Sequence, residues 1–378
     1  MFEILTLNEI SDKIFTVLGD NYAVSKDSKS PDAILVRSAD MHSYQINDNL
    51  LAIARAGAGV NNIPLPETTA AGIAVFNTPG ANANAVKELT IAALFLCSRD
   101  VVGGINFSNS LAGKEDVPKL AEKGKSRFAG CEISGKTLGV VGLGAIGVKV
   151  ANAALALGMK VIGADPFLTP ENKNSLSPEV LISDNETVFE KSDFITLHLP
   201  LTPSTANMIC SESLAKMKKG VALINFSRAE LVNLQEVKAA IKEGKLSRYV
   251  VDFPTEDALN SEKIIVFPHI GASTAEAEEN CAIMAAEELK DYLENGNIKN
   301  SVNLPALKKE RTGKNRVSII FKNEIEADVK KIISESPYSA AYSKNKAVSY
   351  ALLDSDAETE EIIDKLSETE GIISIRIL

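Results

Sequence analysis

Thr137-Leu138-Gly139-Val140-Val141-Gly142-Leu143-Gly144-Ala145-Ile146-Gly147 is a short apolar run that breaks into three glycines and then into a helical pattern through Leu157. It reads as a buried strand turning directly into a helix. Gly142 permits the tight turn, Gly144 lets the backbone approach a pyrophosphate, and Gly147 lets the helix pack close to its strand. The helix N-terminus then faces the phosphates. The next strand, Lys160–Ala164, ends at Asp165, a carboxylate placed to accept ribose hydroxyls and to repel a 2′-phosphate. The pattern predicts an NAD site, with NADP disfavoured.

Outward from this unit, short apolar runs alternate with amphipathic stretches from Ile34 to Leu234, the rhythm of a parallel sheet with crossover helices. Further predicted strands are 33–36, 51–55, 74–77, 194–199, 221–225 and 249–252. Two long helical patterns, at about 84–109 and 274–295, are read as hinges between lobes. The expected fold class is α/β, with two doubly wound parallel-sheet lobes: a flavodoxin-like substrate lobe (1–100 and 276–302) and a Rossmann nucleotide lobe (101–275). Asn297–Lys314, rich in Asn, Pro, Lys and Arg, reads as a linker. Residues 316–378 follow in βαββαβ order, a ferredoxin-like module small enough to need support from the main body or a partner subunit.

Composition narrows the function classes. The 378 residues carry a net charge of −10 with no local basic patch, which argues against nucleic acid or anionic membrane as partner. No apolar run has the length of a membrane span, and Met1-Phe2-Glu3-Ile4 lacks the layout of a signal peptide, so the expected location is the cytoplasm. Cys97, Cys131, Cys210 and Cys281 have no paired spacing, so neither a metal site nor a disulfide framework is expected.

Hydride transfer between an alcohol and NAD needs a group that exchanges the hydroxyl proton near neutral pH, and the chain has three histidines. His269, in Phe267-Pro268-His269-Ile270-Gly271, lies in a loop between an apolar strand and a helix and is the best candidate. His198 sits at a strand end beside the nucleotide crevice and fits a cofactor wall better than proton transfer. His42 falls in a surface turn. Arg228 directly follows the strand ending at Asn225, where its guanidinium would grip a carboxylate bidentately. Glu256 follows another strand and is placed to hold the imidazole.

With these segments in place, residues 1 to about 305 resemble the NAD-dependent D-2-hydroxyacid dehydrogenases. The resemblance rests on the glycine loop with Asp165, the run Leu197-His198-Leu199-Pro200-Leu201-Thr202-Pro203-Ser204-Thr205, the segment Asn225–Arg228, Glu256, and Pro268-His269. It implies that Arg228 binds the substrate carboxylate and carbonyl, that His269 is the acid/base, and that Glu256 is its partner. It further implies a carboxylate-binding loop at Ala56-Gly57-Ala58-Gly59-Val60, a phosphate-reaching arginine at Arg37, and Asn82 beside the substrate. NAD contacts are implied at Thr78, Ala145, Ile146, Asp165, Pro166, His198, Leu199, Pro200, Phe226, Ser227, Arg228, Asp252, His269 and Gly271. The branch resembled most oxidises a phosphorylated 2-hydroxy acid and carries a C-terminal ACT domain, which the 316–378 module resembles.

This chain departs from the family pattern in several places. Val251 stands where the family usually has an acid, with Asp252 one step later, and Ala39 replaces a second arginine of the Arg37 loop. Phe321-Lys322-Asn323-Glu324-Ile325 lacks the His and the Pro-Gly turn of a serine-binding ACT module. Alternative readings are a glyoxylate or hydroxypyruvate reductase and a non-catalytic NAD-sensing interaction protein. A homodimer or homotetramer is expected.

Overall fold

The computed structural model describes residues 1–378 other than 260 and 262, and it divides into two compact units, Met1–Asn82 with Ala275–Leu378, and Ala83–Thr274. In the first unit β1 (Phe2–Leu7), β2 (Tyr22–Ser25), β3 (Ala33–Val36), β4 (Ala52–Arg55) and β5 (Ala74–Asn77) form a parallel sheet in the order β2-β1-β3-β4-β5. That is the flavodoxin-like doubly wound order. β1 and β2 lie outside the alternating region recognised in the sequence, and β2 has no buried residue to announce it.

The helix Ala275–Asn295 lies against β3, β4 and β5. Its Ala282, Ala285 and Ala286 meet Ala52, Ala54 and Ala74, so small side chains on both surfaces let helix and sheet approach closely. The same helix carries Glu288, 7% exposed. Burial pushes its carboxyl up to about 7, even though the Asn300 amide donates to one oxygen, while the other oxygen is enclosed without a partner.

The second unit holds β6 (Thr137–Val141), β7 (Lys160–Ala164), β8 (Leu181–Ile182), β9 (Phe194–Leu197), β10 (Val221–Asn225), β11 (Leu246–Val251) and β12 (Ile264–Val266). Their order, β12-β11-β10-β9-β6-β7-β8, is a parallel Rossmann sheet extended by one strand. The helical pattern at 84–109 is two helices, Ala83–Ser98 and Val101–Asn109, because Asp100 stops the first and caps the second by accepting from the Gly103 amide at 3.2 Å. The expected break near residue 100 falls instead after Asn82. Val86, Ala93, Leu94 and Cys97 bury their face against Leu138, Val140, Ala151 and Ala154, which makes the first of these helices part of the nucleotide-lobe core. No residue of Val101–Asn109 is buried.

At the C-terminus β13 (Asn315–Lys322), the helix Glu326–Ser334, β14 (Ser339–Lys344), β15 (Val348–Ser355), the helix Glu360–Ser367 and β16 (Ile372–Ile377) build an antiparallel sheet in the order β14-β15-β13-β16. Val317, Ile319, Phe321, Ala351 and Leu353 face the two helices. The opposite face, Ile320, Val348, Tyr350 and Leu352, shares a core with Leu289, Tyr292 and Ile298 of the first unit. The module is therefore no separate body. Arg316, 1% exposed, is bidentate to Asp354 at 2.6 and 2.9 Å and donates to the carbonyl of Asn295 at the end of the long helix. Burial acts to raise the Asp354 carboxyl, but hydrogen bonds from Arg316 and Lys309 outweigh it and hold the group well below the usual carboxylate range.

The stretch read as a linker is pinned along its length. Ser301 bridges to Phe76, and the side chain of buried Asn303 accepts from the Val75 amide at 2.8 Å while donating to the Ile73 carbonyl at 2.8 Å. Composition suggested a tether there, but one buried amide side chain completes the hydrogen bonding of the β5 edge.

Candidate active site

Every predicted site residue of the second unit lies at or just beyond the carboxyl end of a strand. The glycine loop follows β6, Asp165 follows β7, His198 β9, Arg228 β10, Asp252 and Glu256 β11, and His269 β12. Because β9, β10, β11 and β12 are parallel neighbours, their C-terminal loops emerge along one edge, where doubly wound sheets bind ligands.

The glycines do what the motif requires. Gly142 has φ +95°, and a Cβ there would stand 2.3 Å from the His198 carbonyl. A Cβ on Gly147 would stand 1.9 Å from the Gly142 carbonyl, so only glycine lets the helix Ala145–Ala156 sit this close to its own strand. A Cβ on Gly144 would meet nothing within 4 Å. That open approach at a helix N-terminus is what a pyrophosphate needs, and the loop fits NAD. Asp165 steadies the loop: one oxygen accepts from the Leu143 amide and the other from the Phe167 amide, both at 2.8 Å.

His198 is not a proton carrier. Its Nε2 lies 3.0 Å from the Thr196 hydroxyl, its Nδ1 is enclosed without a partner, and burial drives its pKa down to about 3, leaving a neutral ring. The wall role predicted for it is compatible with that state. Leu199 is half-buried and Pro200 exposed beside it.

The Arg228 turn is held from beneath. Fully buried Asn225 donates to the Arg228 carbonyl at 2.8 Å and accepts from the Ser227 amide at 3.1 Å, and the Ser227 hydroxyl donates to the Leu197 carbonyl at 2.7 Å. The guanidinium itself is exposed, with Nη1 on the Ser227 carbonyl at 2.7 Å.

His269 occupies an exposed left-handed position, φ +59°, and Phe253 meets its ring edge-on with centroids 5.2 Å apart. Strained backbone of this kind persists only where neighbours over-determine it. Here the neighbour is Asp252, 2% exposed, whose two carboxylate oxygens accept from the amides of Ile270 at 2.9 Å and Gly271 at 2.6 Å. Charge-assisted bonds to two consecutive amides fix the peptide chain directly after His269. The resemblance implies Asp252 at the cofactor; in the structure each of its oxygens also accepts from one amide of this loop. Its role was not legible because the partners are backbone groups eighteen and nineteen residues away. Glu256 opens the short helix Glu256–Leu259 and is exposed.

In the first unit Arg37, Arg55 and Thr78 leave the carboxyl ends of β3, β4 and β5. The Arg55 Nε donates to the Arg37 carbonyl at 2.9 Å, and its guanidinium lies where a Gly57 Cβ would be, 2.4 Å away. Ala58 is exposed and Gly59 half-buried, and the Asn77 side chain anchors the Ala58 carbonyl at 2.6 Å. Thr78, expected at the cofactor, is fully buried with its hydroxyl enclosed, and its amide donates to the Gly57 carbonyl at 3.1 Å. Asn82 is half-buried at the end of this unit's first segment. His42 is an exposed residue with Nδ1 2.5 Å from Asp40. Two partners of Arg37 went unseen in the sequence: Asn8, whose oxygen accepts from the amides of Arg37, Ser38 and Ala39, and Glu278, whose carboxylate meets the Arg37 guanidinium at 2.6 Å.

Residues 106–271 match the D-isomer specific 2-hydroxyacid dehydrogenase NAD-binding domain. A hydroxypyruvate reductase from Thermotoga maritima is 39% identical over 68% of this chain and 83% of its own length. The chain belongs to the D-2-hydroxyacid dehydrogenase family, whose cofactor is NAD. A D-3-phosphoglycerate dehydrogenase from Methanocaldococcus jannaschii is 36% identical over 76% of this chain and 54% of its own length, so the chain spans about half of that relative. Among solved structures, the TT0316 protein of Thermus thermophilus superposes with TM-score 0.65 and 26% identity, covering 79% of this chain and 99% of that one.

Proposed function

We propose that this chain oxidises D-3-phosphoglycerate to 3-phosphohydroxypyruvate, the first step of the phosphorylated route to serine. Bound NAD supplies the hydride acceptor for C2. His269 takes the C2 hydroxyl proton, Arg228 pairs with the carboxylate and polarises the carbonyl as it forms, and Glu256 is the partner of the imidazole. Asp252 holds the histidine loop. Within the first unit, by itself, Arg37 is the contact proposed for a phosphate and the amides of Ala56–Val60 a contact proposed for a carboxylate.

One observation carries the reading: β10, β11 and β12, adjacent and parallel, deliver Arg228, the Asp252–Glu256 segment and His269 at one sheet edge. Several curated relatives at 34–36% identity are D-3-phosphoglycerate dehydrogenases, which favours the phosphorylated substrate. The hydroxypyruvate reductase relative supports a second reading, a 2-keto-acid reductase that needs no phosphate contact.

The C-terminal sheet, by its βαββαβ order, is assigned as an ACT-like regulatory module. The apolar, wholly unburied helix Val101–Asn109, with Ile105 55% exposed, supports self-association into a dimer or tetramer. Among the described residues no helix is long and apolar enough to cross a membrane, and a cytoplasmic location is the accompanying proposal.

The test is NADH formation with D-3-phosphoglycerate against a panel of unphosphorylated 2-hydroxy acids, in the unaltered chain and in His269→Asn. Turnover in the variant is expected to fall by about 10²- to 10⁴-fold with NAD binding retained. Undiminished turnover would remove His269 from the chemistry, and equal preference across the panel would favour the reductase reading.

A further inference from the structure

We infer that Glu278 is a built-in competitor for the substrate's phosphate, occupying Arg37 until a phosphorylated ligand displaces it. This rests on the assignment of Arg37 to the phosphate end. Glu278 lies in the first turn of the helix Ala275–Asn295, and its Oε1 stands 2.6 Å from the Arg37 Nη2, with the two side chains 43% and 39% exposed.

The geometry separates a moving part from a fixed one. The loop that bears Arg37 is fixed, since Asn8, itself at φ +79°, accepts from the amides of Arg37 at 3.4 Å, Ser38 at 2.9 Å and Ala39 at 2.8 Å. From the other side the Arg55 Nε holds the Arg37 carbonyl at 2.9 Å. What remains free to exchange partners is the guanidinium with its carboxylate. Both ends of that pair are well solvated, so the bond between them is weak enough to trade for a doubly charged phosphate.

The charges involved lie close together. The thiol of Cys281, one turn further along the helix, feels the guanidiniums of Arg55 and Arg37 and the carboxylate of Glu278 together. A phosphate dianion brings Arg37 twice the charge of the Glu278 carboxylate and more acceptor oxygens. A ligand that lacks a phosphate has less to offer Arg37 than Glu278 already gives. The pair therefore sets a cost that only a phosphorylated ligand meets, because only such a ligand reaches for this cation.

Calorimetric titration of the full chain with D-3-phosphoglycerate and with an unphosphorylated 2-hydroxy acid, NADH present, tests this in Glu278→Gln, Arg37→Ala and the double variant. Both side chains are substantially exposed, so the variants are expected to fold. Glu278→Gln is expected to tighten D-3-phosphoglycerate about two- to fivefold relative to the unphosphorylated acid, the yield of freeing one solvated ion pair. The same change in the Arg37→Ala background is expected to do nothing. If Arg37→Ala weakens the phosphorylated ligand while Glu278→Gln leaves it unchanged or weaker, the competitor role falls and the functional reading stands. If Arg37→Ala leaves the phosphorylated ligand unaffected, the phosphate role of Arg37 fails, and the inference fails with it.

Discussion

Replacing Asp252 with Asn tests the structural basis of the site most directly. The carboxylate is buried and each oxygen serves one amide, Ile270 at 2.9 Å and Gly271 at 2.6 Å. Asparagine keeps one acceptor and turns a donor toward the other amide. One charge-assisted bond is lost and one buried N–H is left unsatisfied, roughly 2 to 4 kcal/mol together. At 1.36 kcal/mol per factor of ten, full transmission of that loss to the transition state would lower kcat by about 30- to 1000-fold. The assay is steady-state NADH formation alongside NADH titration and urea unfolding. Because both oxygens are engaged with the loop, cofactor affinity is expected to change by less than about threefold while kcat drops at least about tenfold. A variant with kcat within twofold of the parent would show that the His269 loop holds its conformation without this clamp, and one that loses NADH binding instead would return Asp252 to the cofactor.

Other expectations follow from contacts elsewhere in the fold. Gly144→Ala, with open space around its new methyl, is expected to keep the urea midpoint while weakening NAD. Gly147→Ala, forced against the Gly142 carbonyl, is expected to lose about 1 to 3 kcal/mol of stability and the NAD site together. Glu288→Gln keeps the acceptor for Asn300 and removes a buried carboxylate whose pKa is raised to about 7. For an acid with a raised folded value, stability is lost as pH climbs from about 4.5 to 7, so the variant is expected to unfold later than the parent at pH 8 and equally at pH 4. Asp354→Asn breaks a buried charge pair and is expected to cost about 3 to 5 kcal/mol, read as a lowered melting temperature. In the parent, the depressed Asp354 carboxyl supplies stability that is fully present above its unfolded value near 4 and fades as pH falls below it.

Where the chain advertises its structure, it does so through local rules. The strand-glycine-helix unit at 137–157 could be read because a tight turn, a close approach and a helix start each demand a residue type at a fixed offset. The strands 33–36, 74–77, 160–164 and 221–225 stood out because strands covered on both faces are continuously apolar. The same rules were silent on β2, which buries nothing, and on the break at Arg99, where a capping Asp interrupts an apolar pattern that continues on both sides. Arg228 and His269 were named from their position after apolar strands. Asp252, Asn8, Asn225 and Glu278 were missed as supports because each acts on backbone or on a side chain brought near only by the fold. Asn297–Lys314 misled for the converse reason: its polar composition is that of a tether, yet Asn303 is spent on β5.

The shared core beneath β13 and β15 also bears on how this chain can be dissected. Cutting the polypeptide after Lys314 would strip Ile320, Val348, Tyr350 and Leu352 from Leu289 and Tyr292 and leave the Asn295 carbonyl without its guanidinium. A truncated catalytic fragment made that way would expose a greasy wound on the very helix that carries Glu278. The C-terminal sheet and the helix whose first turn offers Glu278 to Arg37 are thus built as one piece.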